Sequence, residues 1–213
     1  MLAVLASFVL SQTPTAQAKT VYATQKDTVW RVEALVGQTW YPMGTAFAIT
    51  HGTRQYVVTC KHVVEATRTE IENGKIVEKP FDGFRLNKNG LILTVKWTVS
   101  PTQDAAAARV SNVGSTGRLA LLQPMIGDKV YSLGFPGSEG LTLGEGIVNR
   151  IASLKGRPYI GHSADIFFGN SGGPLFNESA EVVGINSNWR TDSNHLYFSE
   201  IAGDGFKKFL QGL

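Results

Sequence analysis

The sequence predicts an all-β protein, a sandwich or barrel, on three observations. Short runs rich in β-branched and aromatic residues recur along the chain, each bounded by Gly, Pro, Asn or Asp. Strand-like and long helix-like segments do not alternate, which argues against a doubly wound parallel sheet. The chain has 213 residues, 43% hydrophobic and 17% charged, enough to bury a sizeable core as one domain or two closely packed lobes.

The elements follow in chain order. The opening residues, "MLAVLASFVLSQTPTAQAKT", read as a processing segment. Leu2 to Leu10 is apolar except for Ser7 and too short to span a bilayer as a helix. Ala16-Gln17-Ala18 has the small-x-small form of a signal-peptidase site, although no Lys or Arg precedes the apolar run. The expectation is export to a secreted or periplasmic location, with cleavage after Ala18 and no stable membrane span afterwards. Residues 1–18 are then a signal peptide, 19–113 a first lobe and 114–213 a second.

Strands are expected at 44–50, 56–60, 91–99 and 105–110, then at 128–134, 143–151, 174–177, 181–187 and 195–201. "IENGKIVEKPFDG" (71–83) reads as a long hairpin or a surface excursion, with a turn at Asn73-Gly74. "SNVGSTGR" (111–118) concentrates Ser, Asn, Thr and Gly and reads as the connection between the lobes. Two helical pieces are expected, a single turn after His62 in "HVVEAT" and a short terminal helix in "GDGFKKFLQGL".

Charge and ligand-bearing residues exclude several functions. The net charge is +3 and no run of Lys or Arg exceeds two, so no concentrated basic face is expected and nucleic acid is not the expected partner. Cys60 is the only cysteine, which excludes an intramolecular disulfide and a Cys-based zinc cage. The four histidines form no H-x-x-x-H pair, and neither a metal nor a cofactor is expected.

One stretch invites chemistry. "GNSGGPL" (169–175) places a single hydroxyl between glycines, the residue that loses most conformational freedom on folding. A tight surface turn at Asn170-Ser171-Gly172 is the plain alternative. A serine hydroxyl is a poor nucleophile near neutral pH and needs a base, and the base needs a carboxylate to orient it. His62, where "YVVTC" runs into a short helix, is the best-placed imidazole. His51 and His195 look like loop residues, and His162 like a partly exposed strand residue. Asp104 opens the apolar run "AAAARV", at the lip of a core. Asp82, Asp128, Asp192 and Asp204 look like turn residues.

In that order, "TCKHVV", "QDAAAARV" and "GNSGGPL" resemble the His, Asp and Ser segments of the chymotrypsin-like serine peptidases. The sequence is most similar to the disulfide-free HtrA/Deg branch, which "VYSLGFPGSEGLTLGEGIVNRI" (130–151) and "VVGINS" (182–187) also resemble, so the likeness covers roughly residues 40 to 205. It implies two packed six-stranded antiparallel β-barrels, the first carrying the His and Asp, the second the Ser and the terminal helix. It implies a serine endopeptidase acting on polypeptides, with Ser171 as nucleophile, His62 as general base and Asp104 as its orienter. The N–H groups of Gly169 and Ser171 would form the oxyanion hole.

The activation acid of the pancreatic members is Asn170 here, and the PDZ domain of the HtrA proteases has no counterpart in the sequence. Specificity stays open. Asp165 matches the pocket-base position that selects Lys and Arg in trypsin, whereas Ile166, Phe167, Phe168 and Trp189 could line an apolar pocket. Ser187 matches the serine that supports the acid and the groove wall. A silent peptide-binding relative, an esterase and a protease restricted to its own precursor are the alternatives, and the absent G-x-S-x-G elbow argues against an α/β-hydrolase esterase. Cys60 reads as a small buried side chain. Oligomeric state is not encoded in any feature read here.

Overall fold

The computed structural model describes residues 14–137, 139–154, 157–187 and 197–213. The described chain opens with a helix, α1 (Ala16–Gln25), capped by the Thr15 hydroxyl, which accepts the Ala18 N–H. Ala18 and Val21 are fully buried in the main core. The bond after Ala18 thus lies inside a docked helix, and the small residues there let it sit close to the sheet.

The first lobe contains β1 (Val29–Val36), β2 (Thr39–His51), β3 (Arg54–Thr59), a one-turn helix α2 (Lys61–Val64), β4 (Thr67–Glu72) and β5 (Lys75–Pro80). It continues with β6 (Gly83–Lys88), β7 (Leu91–Leu93), β8 (Thr98–Val99), β9 (Ala106–Val110) and β10 (Gly117–Arg118). β4 and β5 form the expected separate hairpin. Asn73 and Gly74 both have positive φ, 52° and 75°, as its tight turn requires.

The expected six-stranded first barrel is corrected. The lobe is an eight-stranded sheet ordered β7-β6-β1-β2-β3-β9-β8, with β10 paired in parallel to β2, and its hydrogen-bonded path does not close. The end strands are only three and two residues long, too short to zip a seam. Yet β7 and β8 lie at opposite ends of the path and only residues 94–97 join them. Five residue steps reach at most about 18 Å, so the sheet must roll until its edges nearly meet. The same bend splits the single strand expected over 91–99.

The second lobe is a closed barrel of β11 (Lys129–Gly134), β12 (Thr142–Leu154), β13 (Arg157–His162), β14 (Pro174–Phe176), β15 (Val182–Asn186) and β16 (Tyr197–Ile201). Its order is β11-β12-β13-β16-β15-β14, antiparallel throughout. A terminal helix, α3 (Asp204–Gln211), buries Phe206 and Leu210. The main core runs across both lobes, joining Trp30, Phe47, Ile49 and Tyr56 to Tyr131, Leu133, Phe176 and Ile185. A smaller cluster, including Val130, Val148, Ile160 and Val183, fills the second barrel. The run Ala105–Ala108 is almost fully buried, and its small side chains suit the crowded ladder between β3 and β8.

Candidate active site

The β3–β9 ladder explains why positions 62 and 104 meet. Thr59 pairs with Ala106, so the residues just after β3 and just before β9 leave the sheet at the same end. After β3, buried Cys60 and Val63 pin the α2 turn to the core and leave His62 on its outer face, with 47% of its side chain exposed. Before β9, the loop at 100–105 is closed by the Ser100 N–H donating to the Ala105 carbonyl at 2.8 Å. The Ser100 hydroxyl accepts the Gln103 N–H at 3.2 Å.

His62 Nδ1 and Asp104 Oδ2 are 2.6 Å apart, and Asp104 Oδ1 accepts the His62 backbone N–H at 3.0 Å. The Ser187 hydroxyl donates to Asp104 Oδ2 at 2.9 Å. Burial works to raise the Asp104 carboxyl, but the bonds and charge of His62, with Ser187, outweigh it and hold the pKa at about 2. An ionised Asp104 fixes the imidazole proton on Nδ1 and leaves Nε2 as the basic nitrogen.

The serine bend is shaped by two glycines with positive φ, Gly169 at 98° and Gly172 at 85°. A Cβ on Gly169 would lie 2.7 Å from the Gly137 nitrogen, and one on Gly172 2.8 Å from the Cys60 nitrogen. The N–H groups of the bend alternate in use. Asn170 donates to the Phe167 carbonyl, Gly172 to Asn186 and Gly173 to Asn170, at 2.9, 2.7 and 2.9 Å. Among the described residues, the N–H groups of Gly169 and Ser171 meet no acceptor. Two unpaired donors on alternate residues are the arrangement that can receive a developing oxyanion.

The first lobe holds this bend from beneath. Thr45, fully buried, donates its N–H to the Ser171 carbonyl at 2.9 Å and its hydroxyl to the Gly169 carbonyl at 2.6 Å. The Cys60 thiol donates to the Asn186 carbonyl, the same oxygen that takes the Gly172 N–H. A Cβ on Gly44 would sit 3.0 Å from both the Ser171 carbonyl and a Val63 methyl. The Ser171 bend and the His62 turn therefore pack against each other across the lobe boundary, and Ser171 is 6% exposed.

The remaining expected site residues are placed unevenly. Asp165 is exposed, and its carbonyl accepts the Ser132 hydroxyl at 3.0 Å. Ile166 is buried, whereas Phe167 and Phe168 are 57% and 86% exposed. Ser187 is fully buried against Asp104. Trp189 lies outside the described residues. His162, expected to be partly exposed, is fully buried because it shares a face of β13 with Ile160, which lies in the core of the second barrel. Its Nε2 meets the Ser199 hydroxyl at 2.9 Å, and that hydroxyl meets Asn186 Oδ1 at 2.9 Å.

Cys60, His62 and Asp104 bring three potential metal-ligand atoms within 4.8 Å of one another. Those atoms are engaged in hydrogen bonds with one another and with Asn186, and burial raises the thiol well above its usual range. Sequence reasoning missed Thr45, Gln103 and Glu200. Glu200 was the one with a signal, a carboxyl inside the aromatic strand "YFSEI".

Comparison with known proteins places this geometry. DegS of Escherichia coli K12, a serine endoprotease, is 29% identical over 143 residues, covering 63% of this chain and 37% of DegS. A DegP-like periplasmic serine endoprotease of Pseudomonas putida W619 is 32% identical over 129 residues, covering 50% of this chain and 27% of that protein. The chain thus spans 37% of the one relative and 27% of the other. The active form of the Rv3671c protease from M. tuberculosis superposes with a TM-score of 0.74 at 22% identity, covering 98% of this chain and 93% of that one. Residues 44–185 match the family model of the trypsin-like peptidase domain. The chain belongs to the trypsin-like peptidase domain family.

Proposed function

We propose that the protein is a serine endopeptidase that cleaves peptide bonds through an acyl-enzyme. Ser171 Oγ attacks the scissile carbonyl while His62 Nε2 takes its proton. Asp104, accepting from Nδ1, stabilises the imidazolium that forms. The resulting oxyanion is received by the N–H groups of Gly169 and Ser171, a term worth about 3 kcal/mol per donor in comparable sites. His62 then returns the proton to the leaving amine, and water repeats the sequence on the ester. The observation that carries this reading is the 2.6 Å bond between His62 and Asp104, set beside the Ser171 bend. An extended substrate strand would add beside Ser187, just past β15, while residues 188–189 of the expected edge lie outside the described residues.

A fluorophosphonate probe tests the assignment. Wild type should label once per chain and Ser171→Ala not at all, with both folded by circular dichroism. A folded wild type that refuses the probe makes the chain a silent peptide-binding member of the family. Labelling with cleavage only of its own precursor supports the self-processing alternative. We also propose export, since DegP-like relatives are named periplasmic. Sequencing the mature N-terminus tests it, and a cut upstream of Thr15 would preserve the α1 cap.

A further inference from the structure

Behind the His62–Asp104 pair lies a second carboxyl that the proposed reaction does not use. Glu200 is fully buried in β16, paired with Tyr159 of β13 on one side and Ile185 of β15 on the other. Carboxylates are almost never fully buried without a partner. Its Oε1 accepts the backbone N–H of Asp104 at 3.1 Å, a bond from the second lobe to the loop that carries the acid. The neighbouring residues repeat the link, with the Gln103 side-chain amide donating to the Ile201 carbonyl at 3.0 Å. Together with the Ser187 hydroxyl on Oδ2, three second-lobe groups grip a first-lobe loop.

The titratable groups around this carboxyl are Asp104 from the acid loop, Arg157 and Tyr159 from β13, and Cys60 from the turn after β3. Arg157 ion-pairs with the same Oε1 at 3.7 Å from a partly exposed guanidinium, a longer contact than the 3.1 Å bond that the oxygen accepts from Asp104. Burial raises the Glu200 carboxyl above its ordinary range, and the charge of Asp104 adds to the rise. The neighbouring Asp104 is held far below its own. The two acids are thus unlike, one kept ionised towards His62, the other buried and serving as an acceptor.

We propose that Glu200 is a positioning residue: its oxygen, supplied by β16, holds the Asp104 backbone and thereby sets the Asp104–His62 alignment across the lobe boundary. The inference rests on the peptidase reading for its kinetic consequence, but not for its geometric one.

The test compares wild type, Glu200→Gln and Glu200→Leu, each counted by fluorophosphonate titration. Gln keeps an acceptor oxygen and Leu does not. A displacement of about 1 Å at a reacting group costs on the order of 10²-fold in rate. Leu should therefore lower kcat per labelled site by roughly 10- to 100-fold with little change in KM, and Gln by less than about 3-fold. The acid limb of the kcat/KM profile should move for Leu alone, which a merely structural role would not cause. Where the Leu variant does not fold, Glu200→Thr, too short to reach the Asp104 N–H, takes its place.

A second measurement needs no turnover. In a Ser171→Ala background, the proton of the 2.6 Å His62–Asp104 bond is followed by NMR. It should be sharp in the parent and in the Gln variant, and broadened or lost in the Leu variant. A wild type that refuses the probe overturns the peptidase reading while this resonance still decides Glu200. Normal kcat in the Leu variant, an unchanged resonance, or a Gln variant as impaired as Leu overturns the inference.

Discussion

His162 makes the protein's stability depend on pH. Its ring is fully buried, and desolvation lowers its pKa from 6.5 to about 4, only partly opposed by the Ala164 backbone acting as acceptor. In the unfolded chain the imidazole takes up its proton near 6.5, but in the folded chain only near 4. Between those values the unfolded state binds more protons, so stability falls as the pH falls. The shift of 2.5 corresponds to roughly 3 kcal/mol at 1.36 kcal/mol per pH unit, fully present above pH 6.5 and lost by about pH 4. Glu200, raised by burial, acts in the opposite direction, so the wild-type curve alone would mislead. Subtraction of a His162→Gln variant removes that contribution, since Gln does not titrate and can still meet the Ser199 hydroxyl. Urea unfolding at pH 7.5, 5.5 and 4 should show a wild-type advantage that shrinks by about 3 kcal/mol. A constant difference across the three values would show that the ring is hydrated or paired in a way that the buried geometry excludes.

Three further outcomes are expected. Gly172→Ala combines a φ of 85° with a collision against the Thr45 carbonyl and the Cys60 nitrogen of the other lobe, and should cost about 4 kcal/mol in denaturant unfolding. Asp104→Asn removes a carboxyl whose folded pKa of about 2 lies below its unfolded 3.8. The wild-type advantage it erases is present above pH 3.8, vanishes as the pH falls through 2, and should amount to about 2 kcal/mol between pH 5 and 2. Thr45→Val keeps the shape but strands the half-buried Gly169 carbonyl and Phe135 N–H, so melting and probe labelling should both suffer, by about 1–3 kcal/mol in the first.

The sequence carried the strand pattern well where turn chemistry was explicit. Asn73-Gly74 announced its hairpin, and the Phe206/Leu210 spacing announced α3. It carried His62 and Asp104 as candidates but not their meeting, which depends on the Thr59–Ala106 register between strands more than forty residues apart. Helix α1 was hidden because its small apolar residues satisfy a signal-peptidase pattern equally well. The open seam of the first lobe was hidden because the strand-like run "LILTVKWTV" (91–99) carries no Gly or Pro to mark a bend. Glu200 and Thr45 act through backbone atoms of residues far away in sequence, and no local pattern marks such a role. The barrel geometry also reversed the reading of His162, since exposure depends on which face of a strand turns inward.

The grip exchanged between the lobes has a consequence for biosynthesis. Residues of the amino-terminal half cradle the Ser171 bend, and residues near the carboxyl end clasp the loop bearing Asp104. A nascent chain emerging from the ribosome cannot complete both clasps until β16, residues 197–201, has cleared the exit tunnel. On the proposed reading, hydrolytic competence therefore cannot precede the emergence of β16, however early the Ser171 bend is made.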